Sequence, residues 1–169
     1  AGVLLALAMG AGKIVAVGRK SEVLEELVTL DPKRIRSVRI SGTPGDSNVI
    51  TAVSGGADIV LDAVGDIEDG APTMNALASL RAYGNALLVG GCMSDLAINY
   101  KWMLDKQITV LGSSWYPRTG NAEMIGMVAS GALDITVLRA RKFPLEAANE
   151  AVLWAAQGPG GLEHAALTP

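Results

Sequence analysis

Lys13-Ile14-Val15-Ala16-Val17-Gly18-Arg19-Lys20 runs directly into Ser21-Glu22-Val23-Leu24-Glu25-Glu26-Leu27-Val28-Thr29-Leu30-Asp31-Pro32. The first stretch is a short apolar run closed by glycine, the composition of a strand covered on both faces in a parallel sheet. In the second, Leu24, Leu27 and Val28 fall on one helical face. Ser21 stands where an N-cap is expected, Glu22 lies near the positive helix end, and Asp31-Pro32 stops the helix. Strand, glycine and helix in that order make a βα unit.

The same grammar repeats outward in both directions. Ile35 to Ile40, Asp58 to Asp62, Ala86 to Gly90 and Ile108 to Gly112 are further strand candidates. Pro72 to Tyr83, with Gly84 as its stop, Asn121 to Ser130, ending at Gly131, and Pro144 to Ala156 carry apolar residues at helical spacing. Ala1 to Gly12 is apolar but too short for the roughly 20 residues that span a bilayer, and reads as a buried helix. Thr43-Pro44-Gly45-Asp46 is a tight turn and Gly55-Gly56 a joint between helix and strand. Linkers, repeats and low-complexity tracts are lacking, so residues 1–169 read as a single α/β domain. The expected architecture is a doubly wound parallel sheet of Rossmann type with helices on both faces.

Composition narrows the partners. The 169 residues are 50% apolar and carry 14 Lys plus Arg against 17 Asp plus Glu, a net charge of −3. Such a chain buries a core without needing disulfides or metal, and it offers no broad basic surface for nucleic acid. Cys92 is the single cysteine, which excludes an intramolecular disulfide and suits a reducing compartment, so a cytoplasmic location without membrane attachment is expected.

In open parallel sheets ligands sit at the carboxyl ends of strands. After the first strand stand Gly18, Arg19 and Lys20, two cations where an NAD-binding domain would place a carboxylate. Arg as a planar fork and Lys as a point charge both suit a 2′-phosphate, which points to NADP(H), although two solvated cations are the plainer reading. Val64 and Gly65, Gly90 and Gly91, and Ser113 and Ser114 follow later strands. Their small residues expose backbone to a flat cofactor, and glycines also end strands for ordinary turns. Asp62 reads either as a base or as an acceptor for loop amides, the second being the commoner role. Lys33, Arg34, Arg36 and Arg39 read as a solvated strand edge. Trp115-Tyr116-Pro117-Arg118 is either a contact for substrate, cofactor or subunit, or a packed loop. His164 and Cys92 have no neighbours at ligand spacing, so neither makes a metal site.

Taken in order, Ala6-Leu7-Ala8-Met9-Gly10-Ala11, Val15-Ala16-Val17-Gly18-Arg19, Ala57 to Gly65, Val89-Gly90-Gly91 and Trp115-Tyr116-Pro117-Arg118 form a recognisable series. The chain resembles zinc-type alcohol dehydrogenases of the medium-chain dehydrogenase/reductase family, most nearly the fungal isopropanol dehydrogenase-like group. The resemblance implies a Rossmann domain that binds NAD(P)(H), hydride transfer between nicotinamide and a small alcohol or carbonyl compound, and a homo-oligomer. It places zinc ligands in a separate N-terminal domain absent from this sequence, and no catalytic residue in these 169. By the same resemblance Gly18, Arg19 and Lys20 are the adenosine-phosphate end of the cofactor site. Val64 and Gly65 lie beside the adenine ribose, Gly90 and Gly91 near the nicotinamide ribose, and Ser113 and Ser114 near the carboxamide.

Two departures accompany the resemblance. The sequence begins after the family's Gly-rich phosphate loop and lacks the strand before it, so it reads as an N-terminally truncated domain with two facing strand edges left unpaired. The family's arginine near the C-terminal strand has no counterpart in Gly160-Gly161-Leu162-Glu163-His164. Two functions stay open on this reading: the cofactor-binding part of an oxidoreductase, inactive alone, or a non-catalytic binding or oligomerisation module.

Overall fold

In the computed structural model, which describes every residue except Asp66, Trp115, Tyr116, Arg118 and Pro159, helix and strand alternate. The order begins α1 (Gly2–Ala8), β1 (Ile14–Gly18), α2 (Ser21–Leu30), β2 (Ile35–Arg39), α3 (Asp46–Ser54), β3 (Ala57–Asp62) and α4 (Ala71–Ala78). It continues with β4 (Leu80–Leu88), α5 (Tyr100–Lys106), β5 (Thr109–Gly112), α6 (Gly120–Ala129) and β6 (Arg139–Pro144). A single 3-10 turn (Leu145–Ala147), α7 (Ala148–Ala156) and β7 (Glu163–Thr168) complete it. Every ladder is parallel, as helical crossovers require.

The ladders form three separate sets among the described residues: β1-β2, β3-β4-β5 and β6-β7. Among the described residues β1 pairs only with β2, and β3 only with β4, so each has one edge without a ladder partner there. Helices link the two sets instead. α1 contacts β1, while Gly2 comes so close to β3 that a Cβ there would lie 2.8 Å from Leu61 Cδ2. α3 packs on β1, β2 and α4, and α4 packs on β3 and β4.

The main core lies under the three-stranded set. Val60, Leu77, Leu80, Ala86 and Ile108 are buried together, with Met74, Ile98, Trp102 and Met103 against them. Leu4, Leu133 and Leu162 make a second cluster. Helical cover is not complete on both faces, contrary to the expectation from the apolar runs. Val60 and Asp62 on one face of β3 are buried, but Ile59 is 69% and Leu61 45% exposed on the other.

Local signals hold in most places. Asp31 ends α2, the Asp46 amide donates to the Thr43 carbonyl at 3.0 Å to close the turn, and Gly55 and Gly56 take φ of 76° and 94° at the joint before β3. Three expectations are corrected. Ser21 is the first helical residue of α2, with Lys20 as the N-cap. The helix beginning near Pro72 ends at Ala78, because Leu80 is needed in the core and already belongs to β4. Gly84 is therefore a strand residue, buried so closely that a Cβ would lie 2.9 Å from Leu80 Cδ2 and 3.0 Å from the Arg81 carbonyl oxygen. β6 and β7 also stand outside the strand candidates.

The β3-β4 register shifts between Ala57 and Ile59. At this irregularity Tyr83 takes a left-handed φ of 64°, and its exposed hydroxyl accepts from Gln107 Nε2 at 3.1 Å. A side chain in this region costs roughly 1–2 kcal/mol, part of which glycine recovers only by losing more freedom on folding. Tyr83→Gly is expected to raise stability by up to about 1 kcal/mol. A urea midpoint below that of the parent protein would count against the strain.

Candidate functional site

The carboxyl ends of β4 and β5 meet at an open cleft of about 480 Å³, lined by Leu88, Val89, Gly90, Gly112, Ser113 and Ser114. Parallel register brings these residues level, since Leu88 pairs with both Asp62 and Gly112. Beyond the strands the backbone continues to knit. The Val89 amide donates to the Asp62 carbonyl (2.9 Å), the Gly91 amide to the Val64 carbonyl (2.8 Å) and the Ser113 amide to the Leu88 carbonyl (2.9 Å). Gly90, Ser113 and Ser114 thus share the cleft, and Val64 and Gly91 are locked beside it. Gly65 is exposed, and a Cβ would meet nothing within 4 Å either there or at Gly112, so the backbone surface is open to a flat ligand.

Asp62 is buried and faces inward. Its Oδ1 accepts from the Val64 amide at 3.3 Å and its Oδ2 from the Thr73 hydroxyl at 3.2 Å. It therefore anchors the loop, as the commoner of its two sequence readings has it. Thr73, fully buried in α4, is the supporting residue that the sequence did not reveal, because nothing in its surroundings distinguishes it from other small core residues.

Gly18, Arg19 and Lys20 lie elsewhere, at the end of β1, and do not line the cleft. Lys20 Nζ donates to the Gly158 carbonyl. Arg19 is exposed and makes no hydrogen bond or ion pair among the described residues. Of Trp115-Tyr116-Pro117-Arg118, only Pro117 falls within the described residues, so the contact role suggested for that segment lies outside them.

The neighbouring strand end is organised by a second residue that the sequence did not single out. The buried Asp46 carboxylate accepts from the amides of Ser41 (3.0 Å), Gly42 (2.8 Å) and Thr43 (3.2 Å) and from the Ser41 hydroxyl (3.0 Å). The Ser41 amide, followed by the other donors, holds its carboxyl below the usual range against the opposing cost of burial. A lowered carboxyl pKa adds stability above the unfolded-state value of about 3.9 and loses it as pH falls toward the folded value. Asp46→Asn is therefore expected to be less stable than the parent at pH 7 and to approach it in acid. Denaturant midpoints at pH 7 and pH 3 check this, and an unchanged difference would remove the carboxylate from the account.

The residues lining the cleft offer backbone groups and hydroxyls but no ionisable side chain. No group of three His, Cys, Asp or Glu side chains placed to hold a metal ion occurs among the described residues. No described helix is long and apolar enough to cross a membrane.

Comparison with known proteins now decides the family. The family model described as zinc-binding dehydrogenase matches residues 1–130. The chain belongs to the zinc-binding dehydrogenases. No curated protein sequence matches it. Among solved structures, alcohol dehydrogenase TADH from Thermus sp. ATN1 is similar over 98% of this chain and 48% of its own, at 22% identity and a TM-score of 0.81. 2R,3R-butanediol dehydrogenase from Bacillus subtilis is similar over 99% and 46%, at 19% identity and 0.79. Benzyl alcohol dehydrogenase from Acinetobacter calcoaceticus is similar over 98% and 46%, at 19% identity and 0.78. This zinc-binding dehydrogenase chain thus spans about half the length of the solved structures it matches, and shares their α/β fold.

Proposed function

We propose that this chain is the cofactor-binding part of an NAD(P)-dependent oxidoreductase that passes hydride between nicotinamide and a small alcohol, aldehyde or ketone, with NADP(H) preferred. Family membership supports the nicotinamide cofactor. The doubly wound Rossmann plan is part of the same reading. It is supported by the parallel βα order. Association with a second copy follows from the family resemblance.

The observation that carries the NADP(H) preference is Arg19, an exposed guanidinium without a partner among the described residues, directly after β1 where no carboxylate stands. Arg presents a rigid fork of donors that a phosphate can accept from two at once. Lys20 adds charge nearby, but its ammonium is taken up by Gly158. The residues present fit a dinucleotide in chemistry: uncommitted cationic donors at one strand end, and open glycine backbone with serine hydroxyls at the others. The bound nicotinamide would supply the hydride chemistry. The chain's own role is to receive the nucleotide at the strand ends, with Asp62 and Thr73 fixing the Val64 loop.

Calorimetric titration of the 169-residue chain with NADPH and NADH tests the assignment. NADPH is expected to bind about tenfold or more tightly than NADH, as for hydrogen bonds to a charged group, and Arg19→Ala to narrow that gap. Equal affinities in the parent protein would sink the preference.

A further inference from the structure

α4 stands between two ladder sets that no strand pairing joins among the described residues, and two of its polar side chains reach in different directions. The Thr73 hydroxyl donates to Asp62 Oδ2 at 3.2 Å, at the carboxyl end of β3, and Asp62 in turn accepts from the Val64 amide. Two residues on, about 200° round the helix, half-buried Asn75 donates from Nδ2 to the Thr43 carbonyl at 3.1 Å, in the turn that follows β2. Neither end of this link is loose. The Thr43 carbonyl also accepts the Asp46 amide at 3.0 Å, the Thr43 amide donates to Asp46 Oδ2 at 3.2 Å, and the Ser41 and Thr43 hydroxyls lie 2.9 Å apart. The Ile40 amide, just before this turn, donates to the Gly18 carbonyl at 2.9 Å, so the end of β1 is tied to it as well. On the other side the Val64 carbonyl accepts the Gly91 amide at 2.8 Å. Asn75 thus bridges the β2 turn to the helix that holds the Val64 loop, across the boundary where the ladders stop.

A ligand held at two places gains from the second only while the two keep the spacing that the ligand itself has. On the proposed function a dinucleotide reaches from the end of β1 to the cleft at β4 and β5, and therefore spans that boundary. We infer that Asn75 is a positioning residue for dinucleotide binding: its amide fixes the β1-β2 strand ends against the cleft, so that both halves of one molecule are met at once. The inference rests on the nicotinamide-dinucleotide reading and adds to it a residue that does not line the cleft. Alanine would serve the helix better than asparagine at this position. What the asparagine supplies is the bridge.

The test is calorimetric titration of the full 169-residue chain and its Asn75→Ala and Asn85→Ala variants with NADPH and with its two halves, adenosine 2′,5′-bisphosphate and reduced nicotinamide mononucleotide. Asn75→Ala is expected to weaken NADPH by about three- to tenfold, the range of one hydrogen bond, and to leave each half within about twofold of the parent chain. Asn85→Ala removes an amide that reaches the Tyr83 carbonyl within β4, and should leave all the affinities unchanged. The split between the whole ligand and its halves is a signature that lost stability does not give, since a loosened fold weakens every ligand alike. Unchanged NADPH affinity in Asn75→Ala overturns the role of Asn75 and leaves the nucleotide reading standing. Equal weakening of NADPH and its halves does the same, and so does an equal loss in Asn85→Ala. NADPH bound by the parent chain no more tightly than its better half also overturns the inference, because the two strand sets then do not act on one molecule. No binding of any of these ligands by the parent overturns the nucleotide reading together with the inference. Circular dichroism confirms that each variant is folded, and alanine at position 75 suits the helix.

Discussion

Gly90→Ala is expected to lower stability by about 3 kcal/mol and to weaken nucleotide binding with it. A Cβ at this position would lie 2.9 Å from the Val64 carbonyl carbon and nitrogen and far inside contact distance of its oxygen. The Val64 carbonyl cannot retreat freely, because it accepts the Gly91 amide at 2.8 Å, and the Val64 amide is tied to Asp62. Glycine is thus demanded here by the protein's own loop, whatever a ligand asks of it. Urea denaturation measures the stability loss, and faster hydrogen exchange at the Gly91 amide marks its place. An unchanged midpoint together with unchanged exchange would show that the two strand ends are not locked.

Leu77→Ala should cost about 2–5 kcal/mol, the range for removing a buried leucine side chain from a core that cannot fully collapse. Leu77 is 1% exposed and packs from α4 into the cluster of Val60, Leu80, Ala86 and Ile108. The loss appears as a lower denaturant midpoint. A shift within experimental error would mean that this cluster does not carry the three-stranded ladder.

The five central strands and the strand-end location of the cleft were legible because apolar runs and glycine exits are read directly from residue type. β6 was not. Half of Arg139-Ala140-Arg141-Lys142-Phe143-Pro144 is charged, and it becomes a strand through its ladder to β7 and through side-chain arrangements no local pattern encodes. Arg139 Nη2 donates to Glu26 at 2.5 Å, and the Arg141 guanidinium stacks 5.1 Å from the centre of the Trp154 ring. Gly84 misled for a similar reason: a glycine after an apolar helix reads as its end, yet burial of Leu80 had already drawn the chain into β4. Gly90, Ser113 and Ser114, which line the cleft, stand just past strands that their apolar runs mark in the sequence. The roles of Asp46 and Thr73 depend on which polar groups are already satisfied, a property of the folded arrangement that single residues do not announce.

The break between the β1-β2 and β3-β4-β5 ladders bears on how the molecule comes apart. A continuous sheet transmits disruption from strand to strand through its hydrogen bonds, so that opening one strand exposes the next. Here, among the described residues, that route stops at β1 on one side and at β3 on the other, and the two halves are coupled through helix packing by α1, α3 and α4, with Asn75 Nδ2 donating to the Thr43 carbonyl at 3.1 Å. Cooperativity then has the strength of those helix contacts, and each half can open as its own foldon before the other melts.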